Sequence, residues 1–197
     1  MTSKFIPIQY IDDKLLLLDQ RKLPLEENFI EYTTLEGGYL GIKDMVVRGA
    51  HCIGFTAIFT LALWLQDKVY NLKEFKAACD YLNSARPTAV NLAYEIEQVK
   101  KIVEKCHENT EDAYAKVVEY GHSQIKLSES HNRAMARHAE KDLDSTLNKK
   151  TYNILTHCNT GFLACGSIGT ALGVVQNLHE VNKLEMTWVD ETRPYLQ

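Results

Sequence analysis

The stretch TYNILTHCNTGFLACGSIGTALGVVQNLHEVNKLEMTWVDETRP, residues 151–194, decides the fold class of this chain. TYNILTHC reads as a buried strand, and the glycine-rich bend GFLACGSIG follows it. TALGVVQNLHEV has helical periodicity, with Leu172, Val175 and Leu178 on the buried side. EMTWVDETRP supplies a second strand that ends at Pro194. Strand, helix, strand in succession is a βαβ unit, which requires parallel pairing. One such unit leaves open edges and thin cover, so the sheet is expected to continue, and the chain reads as truncated after Gln197.

Upstream, the first 35 residues read as strands. IPIQYI and KLLLLD flank the turn-prone pair Asp12-Asp13, and FIEYTT is a third β-rich run. Gly37-Gly38 is expected to break the chain before helical patterning from about residue 39 to 147. In NLAYEIEQVKKIVEKC, residues Leu92, Ile96, Val99, Val103 and Cys106 fall at spacings of three and four, marking one helical face. Asn71 suits a helix cap with Glu74 three residues on, and Thr110 a second cap before Asp112 and Ala113. Residues 110–147 form a long polar helical region with an expected break near Gly121 or Ser128. Its charged surface reads as a solvated or domain-bridging face.

Composition narrows the classes. The chain has 197 residues, 45% hydrophobic and 24% charged, ordinary for a soluble globular protein of one domain or two small ones. A net charge of −4 without like-charge blocks points away from nucleic acid. HCIGFTAIFTLALWLQ, residues 51–66, falls short of the roughly 20 residues a membrane helix needs, and Asp67 and Lys68 close it. It reads as the central helix of a core. Five cysteines, odd in number and without CxxC spacing, argue against a disulfide framework and fit a reducing compartment.

Two kinds of chemistry fit these residues. Cys158 stands at a strand end of an open α/β sheet, where ligands of such sheets bind, and the loop behind it leads into a helix start that favours anions. Helix starts also lower thiol pKa values. On these residues alone the plainer reading leads: a small thiol, beside glycines that let helix pack on strand. In VVRGAHCIG, Arg48 precedes the apolar helix and can grip a phosphate bidentately, with Gly49 allowing close backbone approach. A surface arginine in an interhelical turn is an equal alternative. In ARPTAVNL, Arg86 precedes a helix that Pro87 suits, and a solvated or carboxylate-paired arginine is its commoner fate. Histidine and cysteine are adjacent three times, but neighbours rarely point the same way, and no zinc spacing exists. No metal site is expected.

VRGAHCIG, ARPTAVNL, ILTHCNTG, GTALGVV and DETRPYLQ, in that order, resemble the methylthioribose-1-phosphate isomerases of methionine salvage. These share a fold with ribose-1,5-bisphosphate isomerases and with regulatory subunits of the eukaryotic translation-initiation guanine-nucleotide exchange factor. The resemblance runs from about residue 35 to the last residue. It implies an α/β protein: a mostly helical N-terminal domain with a small β element over 1–148, then the start of a Rossmann-like parallel-sheet domain over 149–197. It implies conversion of a furanose 1-phosphate to the open-chain ketose 1-phosphate, without metal or nucleotide cofactor. By motif, Cys158 is the catalytic thiol, and Arg48, Gly49, Ala50, Arg86 and Gln197 contact the sugar phosphate. The family's catalytic aspartate belongs to a later segment and is not Asp190, so the chain alone is expected to have little activity. A cytoplasmic homodimer without nucleic-acid or membrane partners is implied as well. His51-Cys52 stands where the family usually has Pro-Ala. Two alternatives stay open: an isomerase of another pentose 1-phosphate (ribose 1,5-bisphosphate or 5-deoxyribose 1-phosphate), or a non-catalytic sugar-phosphate or nucleotide-sensing subunit of the translation-factor type.

Overall fold

Asp12 and Asp13 have φ of 49° and 60°, the left-handed pair that a two-residue hairpin needs to match the strand twist. In the computed structural model, which describes residues 6–66 and 69–193, this turn joins β1 (Ile8–Ile11) to β2 (Lys14–Leu18). β3 (Phe29–Tyr32) pairs with the other side of β2, and all pairing is antiparallel. Alternation along the strands buries Ile8, Tyr10, Leu15 and Leu17 on one face. The Tyr10 ring stacks on Phe59 with centroids 4.8 Å apart.

Helix begins earlier than the glycine pair suggests. α1 (Leu35–Lys43) contains Gly37 and Gly38, and Thr34 Oγ1 accepts from Gly37 N at 3.1 Å as its cap. A Cβ on Gly38 would stand 2.0 Å from Thr60 Oγ1. The missing side chain lets two helices touch, which offsets the roughly 0.5–1 kcal/mol a mid-helix glycine costs.

α2 (Ala50–Gln66) is the central element, and every residue from Cys52 to Leu65 is buried. Its hydroxyls stay satisfied inside the helix: Thr56 Oγ1 donates to Cys52 O and Thr60 Oγ1 to Thr56 O, both at 2.7 Å. No described helix is long and apolar enough to cross a membrane. Asp67 and Lys68, read as closing α2, lie outside the described residues.

α3 (Leu72–Asn83) is capped by Asn71, whose side chain accepts from Glu74 N at 2.9 Å, as the spacing predicts. α4 (Val90–Glu104) buries Leu92, Ile96, Val99 and Val103, as its periodicity predicts. Cys106 lies beyond the end of that helix, buried, with its Sγ donating to Ile102 O.

α5 (Thr110–Leu147) corrects two expectations. Its cap is Asn109, whose side chain accepts from Asp112 N at 3.1 Å, and Thr110 is the first helical residue. Its 38 residues run unbroken through Gly121 and Ser128. A Cβ on Gly121 would lie 2.6 Å from Phe59 Cε1, so this glycine is the point where α5 leans on α2 rather than a hinge. The charged far half bridges: Lys183 reaches Glu140 and Asp144, and Asn177 donates to Glu140 at 2.9 Å.

β4 (Tyr152–Thr156) and β5 (Leu184–Val189) pair in parallel, with α6 (Phe162–Cys165) and α7 (Ala171–Glu180) between them. The βαβ reading holds. β4 is not buried throughout, however. Tyr152 and Thr156 are buried while Asn153 and Leu155 are exposed, because packing covers only one face of the strand pair among the described residues. On α7, Leu178 and Gly173 are buried, while Leu172 and Val175 border a cavity. Pro194, taken as the strand's end, lies outside the described residues, and β5 ends at Val189.

Candidate active site

The site is built where β4 runs out. Thr156 is its last residue, and two positions on Cys158 is exposed with φ of 71°. A non-glycine residue in the left-handed region costs on the order of 1 kcal/mol or more, and such strain collects at functional turns. The ends of the two strands are tied: Asp190 N donates to Thr156 O at 3.2 Å, and His157 Nδ1 lies 3.1 Å from Asp190 Oδ2.

Behind Cys158 the chain makes a pinched loop. Thr170 N donates to Thr160 O at 2.9 Å, and a Cβ on Gly169, which has φ of 90°, would strike that oxygen at 2.4 Å. Within the loop lies α6. The loop, α7 and residues of β4 and β5 line an open cavity of about 470 Å³ with mainly apolar walls, among them Phe162, Leu163, Ile168, Leu172 and Val175. Cys158 stands on its rim.

Accessibility separates this thiol from the other four. Cys52, Cys79, Cys106 and Cys165 are buried. Burial pushes the Cys79 thiol up to about 12 and raises those of Cys52, Cys106 and Cys165, so none supplies a thiolate near neutral pH. Among the described residues, no three His, Cys, Asp or Glu side chains group as metal ligands.

Arg48 is no surface arginine. It is 6% exposed, with Nη2 donating to Gln20 O at 3.1 Å and Nε to Met45 O at 3.4 Å. Gly49, with φ of 94°, presses on α6: a Cβ there would lie 2.2 Å from the Ala164 Cβ. Ala50 opens α2 and is exposed. Gly49 is thereby brought to the loop that follows Cys158, whereas Arg48, Gly49, Ala50 and Arg86 are not among the residues that line the cavity. Arg86 is half-buried in the turn before α4. The first turn of α4 meets α2 at Gly54, one turn beyond Ala50, with Asn91 O 3.4 Å from where a Gly54 Cβ would stand. Gln197 lies outside the described residues.

Sequence reasoning missed Gln20, whose Nε2 donates to Leu163 O at 2.9 Å across 143 positions of chain. No local signal could have found it. It also missed the pairing of His157 with Asp190. The adjacency of β4 and β5 in the βαβ unit was the available signal, since it brings the two strand ends together.

Residues 46–197 match the family model described as the Initiation factor 2 subunit family. A protein named methylthioribose-1-phosphate isomerase from Caldicellulosiruptor saccharolyticus is 37% identical over 193 residues, covering 96% of this chain and 55% of its own. The crystal structure of 5-methylthioribose 1-phosphate isomerase from Pyrococcus horikoshii superposes with a TM-score of 0.83 at 32% identity, over 100% of this chain and 55% of that one. The A. fulgidus translation initiation factor eIF-2B, subunit delta, superposes with a TM-score of 0.77 at 31% identity, over 98% of this chain and 56% of that one. The chain spans about half the length of the curated relatives it matches.

Proposed function

We propose, since this chain belongs to the Initiation factor 2 subunit family, that the polypeptide carrying it isomerises 5-methylthioribose 1-phosphate to 5-methylthioribulose 1-phosphate in methionine salvage. The observation that carries the reading is Cys158: one accessible thiol, in a left-handed turn at the end of a parallel strand, on the rim of an apolar cavity. The reaction is internally balanced. Phosphate blocks the anomeric oxygen, so an acid must protonate the ring oxygen as its bond to C1 breaks. The C2–H proton then leaves, its electron pair forming the C1–C2 double bond of an enol. The C2 hydroxyl next loses its proton as C2 becomes a carbonyl, and C1 is reduced by taking up a proton. No external oxidant is needed. Cys158 is the group acting at C2. Arg48, with the backbone of Gly49 and Ala50, holds the phosphate together with Arg86 and Gln197.

The acid, on this reading, belongs to a segment that follows this chain in the longer relatives, as the resemblance implies. Apolar walls favour a thioether at C5 over a second phosphate, which would call for more cationic groups. On this reading the protein is a cytoplasmic homodimer that works without a metal or nucleotide cofactor. Size-exclusion chromatography with light scattering tests the dimer.

Phosphorus and proton NMR of 5-methylthioribose 1-phosphate incubated with the polypeptide carrying this chain tests the activity. Cys158→Ala should abolish formation of the ketose phosphate while leaving substrate binding intact. Full turnover by Cys158→Ala would sink the mechanism. The likeness to a translation-factor subunit favours a second reading, a non-catalytic sugar-phosphate or nucleotide sensor. On that reading the wild-type protein binds the ligand without turning it over.

A further inference from the structure

Gln20 follows β2 by two residues and lies ahead of the part of the chain that matches the family model, yet three of its polar groups are committed. Its backbone N–H donates to Val46 O at 2.9 Å, its carbonyl accepts from Arg48 Nη2 at 3.1 Å, and its side-chain Nε2 donates to Leu163 O at 2.9 Å. The residue is 5% exposed, so water does not compete for these bonds. Before it, Asp19 is buried and holds Arg21 through two hydrogen bonds of 2.8 Å, which anchors the segment.

The side that receives the amide needs it. α6 is four residues long, too short to be stable by its own hydrogen bonds. The carbonyls of a helix's last turn lack intrahelical donors, and Gln20 supplies one to Leu163. Leu163 lines the same cavity as Cys158. α6 is also held by its packing on α2, where Gly166 lies against Phe55 and Ala164 meets Gly49, the neighbour of Arg48. One residue therefore grips the arginine with its carbonyl and the thiol-bearing loop with its amide.

We propose that Gln20 is a positioning residue that fixes Arg48 and the Cys158 loop in one arrangement. This rests on the reading of Cys158 and Arg48 as site residues. A residue that only filled volume would be replaceable by an apolar side chain of the same length. One that positions through its amide would not be.

Gln20→Met keeps the length and removes the donor, and Gln20→Glu sets an acceptor against the Leu163 carbonyl. In the purified chain, both should raise hydrogen exchange at Ala164–Gly166 and change the rate of Cys158 alkylation by iodoacetamide by about five-fold or more, with exchange in α4 unchanged. Folded variants whose exchange and alkylation stay within about two-fold of wild type would overturn the proposal. A second measurement needs no variant: the Gln20 side-chain amide protons should exchange slowly with D2O, and exchange at the free-amide rate would overturn it too. Neither readout depends on turnover. If Cys158→Ala retained activity while the Gln20 variants still moved alkylation, the isomerase mechanism would fail and the positioning would stand.

Discussion

His157 and Asp190 meet at 3.1 Å across the C-terminal ends of two parallel strands, although 33 positions of chain separate them. Their side chains are 76% and 53% exposed, so the pair is screened by water. Asp190→Asn should therefore change the urea stability of the chain by less than about 1 kcal/mol. A loss well beyond that would mean that the strand ends depend on the pair.

Thiol reactivity follows directly from burial. Of the five cysteines, Cys158 alone is exposed. In native protein one thiol should react rapidly with a disulfide reagent, and peptide mass spectrometry should place it at Cys158. The other four should react only on denaturation. Rapid labelling of Cys52 or Cys165 would contradict the packing of α6 on α2.

Gly49 is the close contact between α6 and the start of α2, and it combines a positive φ with a filled neighbourhood. Gly49→Ala should destabilise the chain by about 2 kcal/mol or more through backbone strain and collision with Ala164. Gly161→Ala is the control. Its Cβ would meet nothing nearer than 3.9 Å, and its effect should stay within about 0.5 kcal/mol. Denaturant midpoints of the two variants check the contrast.

Glu95 makes stability depend on pH in the less common direction. It is buried and accepts from Tyr120 Oη at 2.7 Å. Burial raises its pKa above the ordinary carboxylate value, with the hydrogen bond from Tyr120 opposing. Folded protein then holds the proton over a range in which unfolded chain has lost it, so this group's contribution falls as pH rises from the ordinary carboxylate value through the folded one. Glu95→Gln should remove that component and leave the protein at least as stable near neutral pH, measured by urea midpoints from acid to neutral pH. A Glu95→Gln variant less stable than wild type at neutral pH would show that the carboxylate is worth more charged than neutral.

Much of the fold is readable because its signals are local. Hairpin, caps and the α4 stripe each depend on residues within a few positions: Asp12-Asp13 for the turn, Asn71 with Glu74, Leu92 with Ile96. Where local rules mislead, a distant contact outweighs them. Gly38 reads as a break in sequence, but Thr60 packs against it, and Phe59 does the same at Gly121. The candidate site is legible only in part. The βαβ pattern puts Cys158 at a strand end, and the apolar run puts Arg48 before the buried helix. Neither pattern says that Arg48 is buried or that Gly49 reaches Ala164.

Local covalent chemistry thus sets which stretches are strand or helix, where a thiol sits relative to a strand end, and which residues carry charge. These follow from φ/ψ preference, periodicity of two or 3.6, and hydrogen bonds closed within a turn. Packing across the chain settles the rest. It decides that α5 stays one helix, that four thiols are shut away while ILTHCNTG presents the fifth, and that Gln20 joins the arginine to the thiol's loop. Burial and long-range hydrogen bonds depend on what arrives from elsewhere in the chain, and no window of neighbouring residues contains that.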